Sequence, residues 1–151
     1  MNDQKFLQQA IDASKESVQI GGFPVGAVII RGGDVVAVGL SNGKQLKDPT
    51  NHAEIAVIRE ACQKLGTRDL KDVELYSSLE PCVMCLTACF WASIPNVVYA
   101  CGKDKVSKQH YEGEHSLRDI NAQFRRPIEL VHITELEGQA LQVITEWEKT
   151  L

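Results

Sequence analysis

One histidine, one carboxylate and two cysteines stand at spacings that suit a metal site. Cys82 and Cys85 are three residues apart, so at the start of a helix both thiols lie on one face. A helix N-terminus favours negative charge and lowers the pKa of a thiol there, which promotes the thiolate that binds a metal. His52 stands at the start of another predicted helix and offers an imidazole nitrogen. One nitrogen and two sulfurs predict a zinc site.

The number of ligands predicts what such a site does. Three protein ligands leave the fourth position of zinc for water, which is typical of a catalytic rather than a structural site. Zinc lowers the pKa of that water toward neutrality. Glu54, two residues after His52, can reach the space in front of the helix from its first turn. Its carboxylate is the predicted acid–base group that takes the proton of the water and passes it to a leaving group.

The elements that must position these residues follow from hydrophobic periodicity. Helices are predicted over residues 3–19, 52–65, 82–92 and 137–149, and strands over 25–30, 35–40, 73–77, 96–101 and 128–133. The polar segments 41–51 and 102–116 are predicted to be loops. Residues 31–34 form a predicted hairpin turn, so the first two strands should be antiparallel. Strands that alternate with helices predict an α/β fold whose sheet is covered by helices.

Composition limits the classes of protein to consider. The chain has 151 residues, of which 44% are hydrophobic and 24% charged, and these values predict one globular domain over 1–151. Its apolar runs are too short for a membrane helix, and its first residues carry no signal pattern, so we expect a cytoplasmic protein that does not bind membranes. The net charge of −4 argues against a long basic surface for nucleic acid. Five cysteines, an odd count, favour metal or thiol chemistry over a disulfide framework.

The motifs resemble those of a known superfamily. His52-Ala53-Glu54 followed by Pro81-Cys82-Val83-Met84-Cys85 matches the signature of the zinc nucleobase deaminases. The chain is similar to the cytidine-deaminase-like superfamily, and residues 24–28, 48–54 and 79–85 look most like guanine deaminases and bacterial tRNA adenosine deaminases. The resemblance implies a three-layer fold with a mixed sheet of about five strands and helices on both faces. It also implies zinc on His52, Cys82 and Cys85, Glu54 as proton shuttle, and a homodimer.

The resemblance also implies where the substrate binds. Asn42 and Ala53 are expected to contact it, although Asn51 stands where these two groups usually have alanine. Guanine deaminases often carry an aromatic pair where this chain has Phe90 and Trp91, so Trp91 is a candidate pocket wall. They also close an aromatic and acidic loop on the substrate, which makes Glu112 and Glu114 candidate contacts.

The substrate and the class of chemistry leave alternatives open. Hydrolytic conversion of guanine to xanthine, with release of ammonia, is favoured by the net charge, the aromatic pair and the acidic loop. Conversion of adenosine to inosine in a tRNA anticodon is less favoured, because the closing helix is not basic. Cytosine or another small aminated heterocycle is a third possibility. A dithiol oxidoreductase that uses Cys82 and Cys85, or a silent zinc module for assembly, would belong to other classes.

The other cysteines and two histidines are not predicted to bind the metal. Cys62, Cys89 and Cys101 fall at core positions and are predicted to serve packing only. His110 and His115 are predicted to be solvated loop residues, with pocket lining as the alternative.

Overall fold

A mixed sheet of five strands organises the chain. The structure is a computed structural model that describes residues 3–151. The strands are β1 (Gly26–Arg31), β2 (Asp34–Leu40), β3 (Glu74–Leu79), β4 (Asn96–Cys101) and β5 (Glu129–His132). The helices are α1 (Asp3–Gln19), α2 (Gly43–Leu46), α3 (Ala53–Leu65), α4 (Val83–Trp91), α5 (Leu117–Ala122) and α6 (Glu137–Glu148).

The order of the strands is β2-β1-β3-β4-β5. β1 pairs antiparallel with both β2 and β3, whereas β3, β4 and β5 run parallel. The predicted α/β class, the five-stranded mixed sheet and the antiparallel first pair are therefore confirmed. The parallel strands β3 and β4 require a crossover, and α4 supplies it.

Each strand divides its residues between two cores, because successive side chains point to opposite faces of a sheet. In β1, Ile29 belongs to the core under α3 and α4, whereas Val28 and Ile30 belong to the core under α1 and α6. β4 divides in the same way, with Val97 on the first face and Val98 on the second. Helices thus cover both faces of the sheet, in three layers as the resemblance implied.

The polar loops contain more structure than periodicity indicated. Segment 41–51 holds the one-turn helix α2, and segment 102–116 contains two short 3₁₀ turns, Lys103–Lys105 and Lys108–His110. α5 lies outside the helix ranges predicted above; three of its six side chains are polar, and six residues are too few to show a clear helical period. The one feature of the sequence that indicates this helix is Ser116, a residue type that commonly caps a helix N-terminus. In the structure its hydroxyl accepts a hydrogen bond from the Asp119 backbone N–H at 3.2 Å.

β3 continues two residues beyond its predicted end at Ser77. The two serines at this end are compatible with a buried strand because both hydroxyls have backbone partners. The Ser77 hydroxyl donates to the Leu79 carbonyl at 2.7 Å, and the Ser78 hydroxyl accepts from the Gly26 N–H at 3.0 Å. This extension brings the chain to the point where Cys82 begins the next helix.

None of the helices within residues 3–151 combines the length and the apolar character that are needed to cross a bilayer.

The hydrogen bonds that fix the turn after α5 allow a test of their contribution to stability. Asn121 is buried; its side chain donates to the Ile128 carbonyl at 2.7 Å and accepts from the Ile128 N–H at 2.9 Å. Asn121→Ala leaves both backbone groups without this partner, so we expect the free energy of unfolding to fall by about 2 kcal/mol. Urea denaturation measures the change. Gln123→Ala, on the exposed side of the same turn, is the control and should change stability by less than about 0.5 kcal/mol.

Candidate active site

The two metal-binding motifs occupy equivalent places in the backbone. His52 is the residue immediately before α3, with φ −66° and ψ 163°, and Cys82 is the residue immediately before α4, with φ −74° and ψ 172°. Sequence analysis counted both residues as helical. In the structure each is extended, and neither side chain caps its own helix within the described chain. Both side chains are therefore available for another partner in front of the helix ends.

The sheet brings these helix ends together. The Nδ1 atom of His52 lies 3.6 Å from the Sγ atom of Cys82 and 3.5 Å from the Sγ atom of Cys85. The three ligand atoms all lie within 4.8 Å of one another, and both thiols are buried. One imidazole nitrogen and two thiol sulfurs form a donor set that suits zinc. These residues fit the metal that the sequence predicted.

A glycine lets α3 begin close to the sheet. A Cβ atom on Gly39 in β2 would lie 2.2 Å from the Ala53 carbonyl oxygen and 2.7 Å from the Cβ atom of Val57. Any side chain at residue 39 would therefore push the first turn of α3 away, and with it His52 and Glu54. The close packing of β2 and α3 is part of what positions the histidine.

The carboxylate of Glu54 is buried beside the ligand cluster. Only 4% of the residue is exposed, and it lines the same cavity as His52 and Cys82. Burial, and then the charge of Cys82, raises the pKa of Glu54 from 4.5 to about 7, against the opposing effects of its own backbone N–H and of His52. A carboxyl group with that pKa can take up and release a proton near neutral pH, as a general acid–base must.

The two thiols differ in their affinity for a proton. The hydrogen bond from Cys85, helped by a second one from His52, lowers the pKa of Cys82 from 9.0 to about 5. The same hydrogen bond, together with burial, raises the pKa of Cys85. The hydrogen bond with Cys82 likewise raises the pKa of His52. Cys82 is thus the preferred thiolate of the pair, as expected for a thiol at the start of a helix.

A cavity of about 160 Å³ opens directly onto this cluster. Most of its walls are apolar or aromatic, and they come from distant parts of the chain: the segment after α1, the end of β3, the loop after β4, and α6. Besides the motif residues, the lining consists of Phe23, Pro24, Val25, Ser41, Leu79, Glu80, Gln109, His110, Tyr111 and Ile144. A small, mostly apolar cavity with a few polar groups is typical of a site for a flat organic molecule.

Some predicted substrate contacts lie near the cavity without lining it. Asn42 is half-buried beside Ser41, and its side-chain oxygen accepts a hydrogen bond from the Asn51 amide. Asn51 in turn accepts from Arg59 at 2.8 Å, so the residue that departs from the usual alanine holds Asn42 in place. Ala53 is fully buried in the core under α3. The direct contacts predicted for Asn42 and Ala53 remain predictions.

The other predicted contacts have different partners in the structure. Trp91 lies at the last residue of α4, at the opposite end of that helix from the cysteine ligands, and is 64% exposed. Glu112 accepts a hydrogen bond from the Val83 N–H at 3.2 Å, so its carboxylate caps the first turn of α4. Glu114 forms an ion pair with Lys108. The structure does not bring Trp91, Glu112 or Glu114 into the walls of the cavity described above.

Loop residues reach the cavity that were not predicted there, except that pocket lining was the alternative interpretation for His110. Gln109, His110 and Tyr111 line it, although segment 102–116 has no periodicity that marks them as buried. The loop folds inward because the Tyr111 hydroxyl donates to the Glu80 carbonyl at 2.6 Å, and because the Lys103 ammonium donates to the Gly113 carbonyl at 2.7 Å. The description of this segment as a solvated surface loop was therefore wrong for His110 and Tyr111, which are half-buried, whereas Gln109 is exposed at the rim. The only available signal was the presence of His110 and Tyr111 in an otherwise charged loop.

The cysteines outside the motif serve packing, as predicted for Cys89 and Cys101. Both are fully buried, and burial raises the pKa of each thiol, to about 12 for Cys101. Cys89 lies in the core under α3 and α4 and is not one of the three residues of the ligand cluster. Cys62 is half-buried and packs against the same core.

Comparison with known proteins identifies the family. The sequence profile of the cytidine and deoxycytidylate deaminase zinc-binding region matches residues 1–101. The chain belongs to this deaminase family. It is 39% identical to a guanine deaminase of Bacillus subtilis strain 168 over 122 residues, which are 80% of this chain and 78% of that protein. It is also 39% identical to a tRNA-specific adenosine deaminase of Aquifex aeolicus strain VF5 over 100 residues, 66% of each protein.

The fold is shared as well. A solved structure of guanine deaminase from Bacillus subtilis is 35% identical and aligns with a TM-score of 0.70 over 99% of this chain and 95% of that one. Membership of the family confirms the predicted zinc-binding deaminase and the predicted cytidine-deaminase-like fold. Because the relatives include both a guanine deaminase and a tRNA adenosine deaminase, family membership leaves the substrate open.

The ligand cluster predicts how zinc content responds to mutation. We expect about one zinc per chain, and a lower occupancy in His52→Ala and in Cys82→Ser, because each change removes one of three ligands. Elemental analysis of the purified proteins measures the content. Cys89→Ala is the matched control, since its buried thiol lies outside the cluster, and it should keep its zinc. Full occupancy in a double variant that carries His52→Ala and Cys85→Ser would contradict this ligand set.

Proposed function

We propose that this deaminase acts on a free purine base and converts guanine and water to xanthine and ammonia. The observation that carries the proposal is the cavity of about 160 Å³ with apolar and aromatic walls, which opens directly onto the ligand cluster and Glu54. Sites for drug-sized ligands are larger, roughly 300–1,000 Å³, so a cavity of this size suits a single heterocycle. Aromatic and aliphatic walls favour a flat ring and exclude bulk water.

The proposed ligands and Glu54 divide the chemistry between them. His52, Cys82 and Cys85 would hold zinc, which when bound lowers the pKa of water toward neutrality. Glu54 accepts a proton from the attacking water and delivers it to the amino group, which leaves as ammonia. The carbon that loses nitrogen gains oxygen, so neither an oxidant nor a reductant is needed. Phe23, Leu79 and Ile144 wall the ring and hold its reacting carbon beside Glu54.

The distribution of charge supports a free base over a tRNA. A tRNA is held largely through its phosphates, by exposed Lys and Arg side chains. In this chain Lys108 is paired with Glu114, and the Lys103 ammonium is bonded to backbone carbonyls. The basic pair Arg125 and Arg126 stacks on Phe90, in the last turn of α4 and away from the ligand cluster.

The helix next to the cavity also favours a free base over a tRNA. α6 supplies Ile144 to the cavity wall, and its last turn places the Glu148 carboxylate 3.9 Å from His110. An acidic group at this position would repel a phosphate backbone. A tRNA anticodon adenosine is the second candidate, and it is favoured by the 39% identity to the Aquifex aeolicus enzyme.

Two expectations about the whole protein accompany this proposal. All five cysteines are unpaired, as is usual in a reducing compartment, which supports a cytoplasmic location. The resemblance to the family implies a homodimer, and the exposed indole of Trp91 at the end of α4 is one apolar surface that a second copy would cover.

The role of Glu54 predicts a specific loss of rate. Glu54→Gln removes the group that transfers protons but none of the proposed ligands. We expect zinc and fold to be retained while kcat falls by roughly 10²- to 10⁴-fold, the usual contribution of a general acid–base. Steady-state ammonia release measures the loss. Glu60→Gln, on an exposed part of α3, is the control and should leave turnover unchanged. Turnover close to wild type in Glu54→Gln would contradict the mechanism.

The proposed substrate predicts a selective pattern across a panel. Ammonia release should be measured with guanine, adenine, cytosine, guanosine and cytidine, and inosine formation with a tRNA anticodon stem. We expect guanine to react, with little effect of added salt because phosphate contacts are not involved. Consumption of anticodon adenosine with a steep dependence on salt, and no reaction of guanine, would replace the proposal with the tRNA alternative. Reaction of cytosine alone would contradict both.

A further inference from the structure

The turn between β3 and α4 is bonded to the part of the chain that follows β4. Glu80, two residues before the ligand Cys82, uses its backbone N–H, its carbonyl and its carboxylate in these bonds. The N–H donates to the Cys101 carbonyl at 2.8 Å, the carboxylate accepts from the Lys103 N–H at 3.0 Å, and the carbonyl accepts from the Tyr111 hydroxyl at 2.6 Å. These bonds fix both the position and the orientation of Glu80.

The same loop also bonds to the other side of the ligand. The Glu112 carboxylate accepts from the Val83 N–H at 3.2 Å, and Val83 follows Cys82 directly. Adjacent residues of one loop thus hold both ends of the segment 80–83. Between these ends, Pro81 restricts the backbone, because its ring fixes φ at about −65°. A displacement of either end would therefore move the Cys82 thiol.

The loop that makes these two bonds is itself tied down by Lys103. The ammonium group donates to the Gly113 carbonyl at 2.7 Å and to the His115 carbonyl at 3.0 Å, and it lies 4.9 Å from the centroid of the Tyr111 ring. The Tyr111 side chain is half-buried and lines the cavity beside the ligand cluster. A loop with these internal contacts keeps its shape, so it can hold residues 80–83 in place.

The position of Cys82 decides whether the three ligand atoms can bind one ion. Its Sγ atom lies 3.6 Å from Nδ1 of His52, and zinc requires a sulfur at about 2.3 Å and a nitrogen at about 2.0–2.1 Å. Cys82 lies before the first residue of α4 with an extended backbone, so its placement depends on the turn as well as on the helix. Groups that orient metal ligands from outside the coordination sphere typically change metal affinity or activity by about 10- to 100-fold.

We propose that Tyr111 and Glu112 are positioning residues that hold residues 80–83, and with them the Cys82 thiol, where the metal site requires it. Neither side chain belongs to the ligand cluster, and each acts through the backbone next to Cys82. Glu112 therefore has a different role from the substrate contact that the resemblance implied. The loop after β4 has two tasks, since Tyr111 also forms part of the cavity wall. Neither task depends on which base the enzyme deaminates.

The rate of zinc release measures the hold on Cys82 without any substrate. Zinc-loaded protein is mixed with an excess of the chromogenic chelator pyridylazoresorcinol, and colour formation gives the rate constant. We expect release to be roughly 3- to 10-fold faster in Tyr111→Phe, which loses one hydrogen bond but keeps the ring, and in Glu112→Ala. Glu112→Gln retains an acceptor oxygen for the Val83 N–H and should release zinc at close to the wild-type rate.

Two matched controls separate this role from a general loss of stability. Tyr99→Phe removes a phenol hydroxyl whose partner, at 3.5 Å, is the guanidinium of Arg118. Glu114→Ala removes an exposed carboxylate of the same loop, which pairs with Lys108. Neither group forms a hydrogen bond with residues 80–83 in the part of the chain that the structure describes, so both controls should release zinc at the wild-type rate. Urea denaturation of each metal-free protein checks that the fold persists.

The outcomes distinguish positioning from contact with the substrate. An unchanged rate of zinc release in Tyr111→Phe or in Glu112→Ala would overturn the role of that residue. Equally fast release in the two controls, or in Glu112→Gln, would overturn the proposal as well. KM is also measured for whichever base reacts, and it should stay within about twofold of wild type in Tyr111→Phe, because the ring remains in the cavity wall. A raised KM in Glu112→Ala with unchanged zinc release would assign Glu112 to the substrate instead.

This test is independent of the proposed substrate. Failure of guanine to react in the panel would reject the proposed function and leave the zinc release rates to decide the role of Tyr111 and Glu112. Because Glu112 is exposed, its replacement does not threaten the fold, and that variant keeps the proposal open to contradiction even where Tyr111→Phe folds poorly.

Discussion

The site depends on two helices that begin at the same point beside the sheet. His52 and Cys82 are each the last extended residue before a helix, so a ligand atom projects ahead of each helix end. A shift of either helix by one residue would move its ligand by about 1.5 Å along the axis and turn it by about 100°. The atoms that now lie 3.5–3.6 Å apart would separate. The close approach of β2 to α3 at Gly39 and the extension of β3 to Leu79 fix the positions at which α3 and α4 begin.

The same geometry concentrates negative charge where water has little access. The carboxyl group of Glu54 and the thiol of Cys82 are buried together, and the charge of Cys82 disfavours ionisation of Glu54. Burying such groups without compensation is unfavourable for folding, whereas a divalent cation among them would offset it. The two helix N-termini that face the site add partial positive charge of their own. The arrangement therefore favours a bound cation and at the same time keeps Glu54 ready to exchange protons.

Sequence reasoning succeeded where the determining interactions are local. β4 coincides with its predicted range 96–101, because an uninterrupted apolar run bounded by polar residues indicates a buried strand. The convergence of His52, Cys82 and Cys85 was predictable because each belongs to a short motif at a helix start. The inward course of His110 and Tyr111 was not, since it depends on a contact between residues far apart in sequence. Tyr111 is bonded to Glu80, 31 residues earlier, and neither residue suggests the other.

The motif residues and part of the cavity wall lie in different parts of this chain. The family profile ends at residue 101, and it contains all three proposed ligands and Glu54. Gln109, His110, Tyr111 and Ile144, which complete the cavity, all lie beyond it. Relatives that share the motifs are named for different substrates, guanine in one and tRNA adenosine in another. Residues common to both cannot distinguish these substrates. Any distinction between them must therefore come from residues outside the shared motifs, and those that line the cavity lie both within the profile, as Phe23 and Leu79 do, and beyond it, as Tyr111 and Ile144 do.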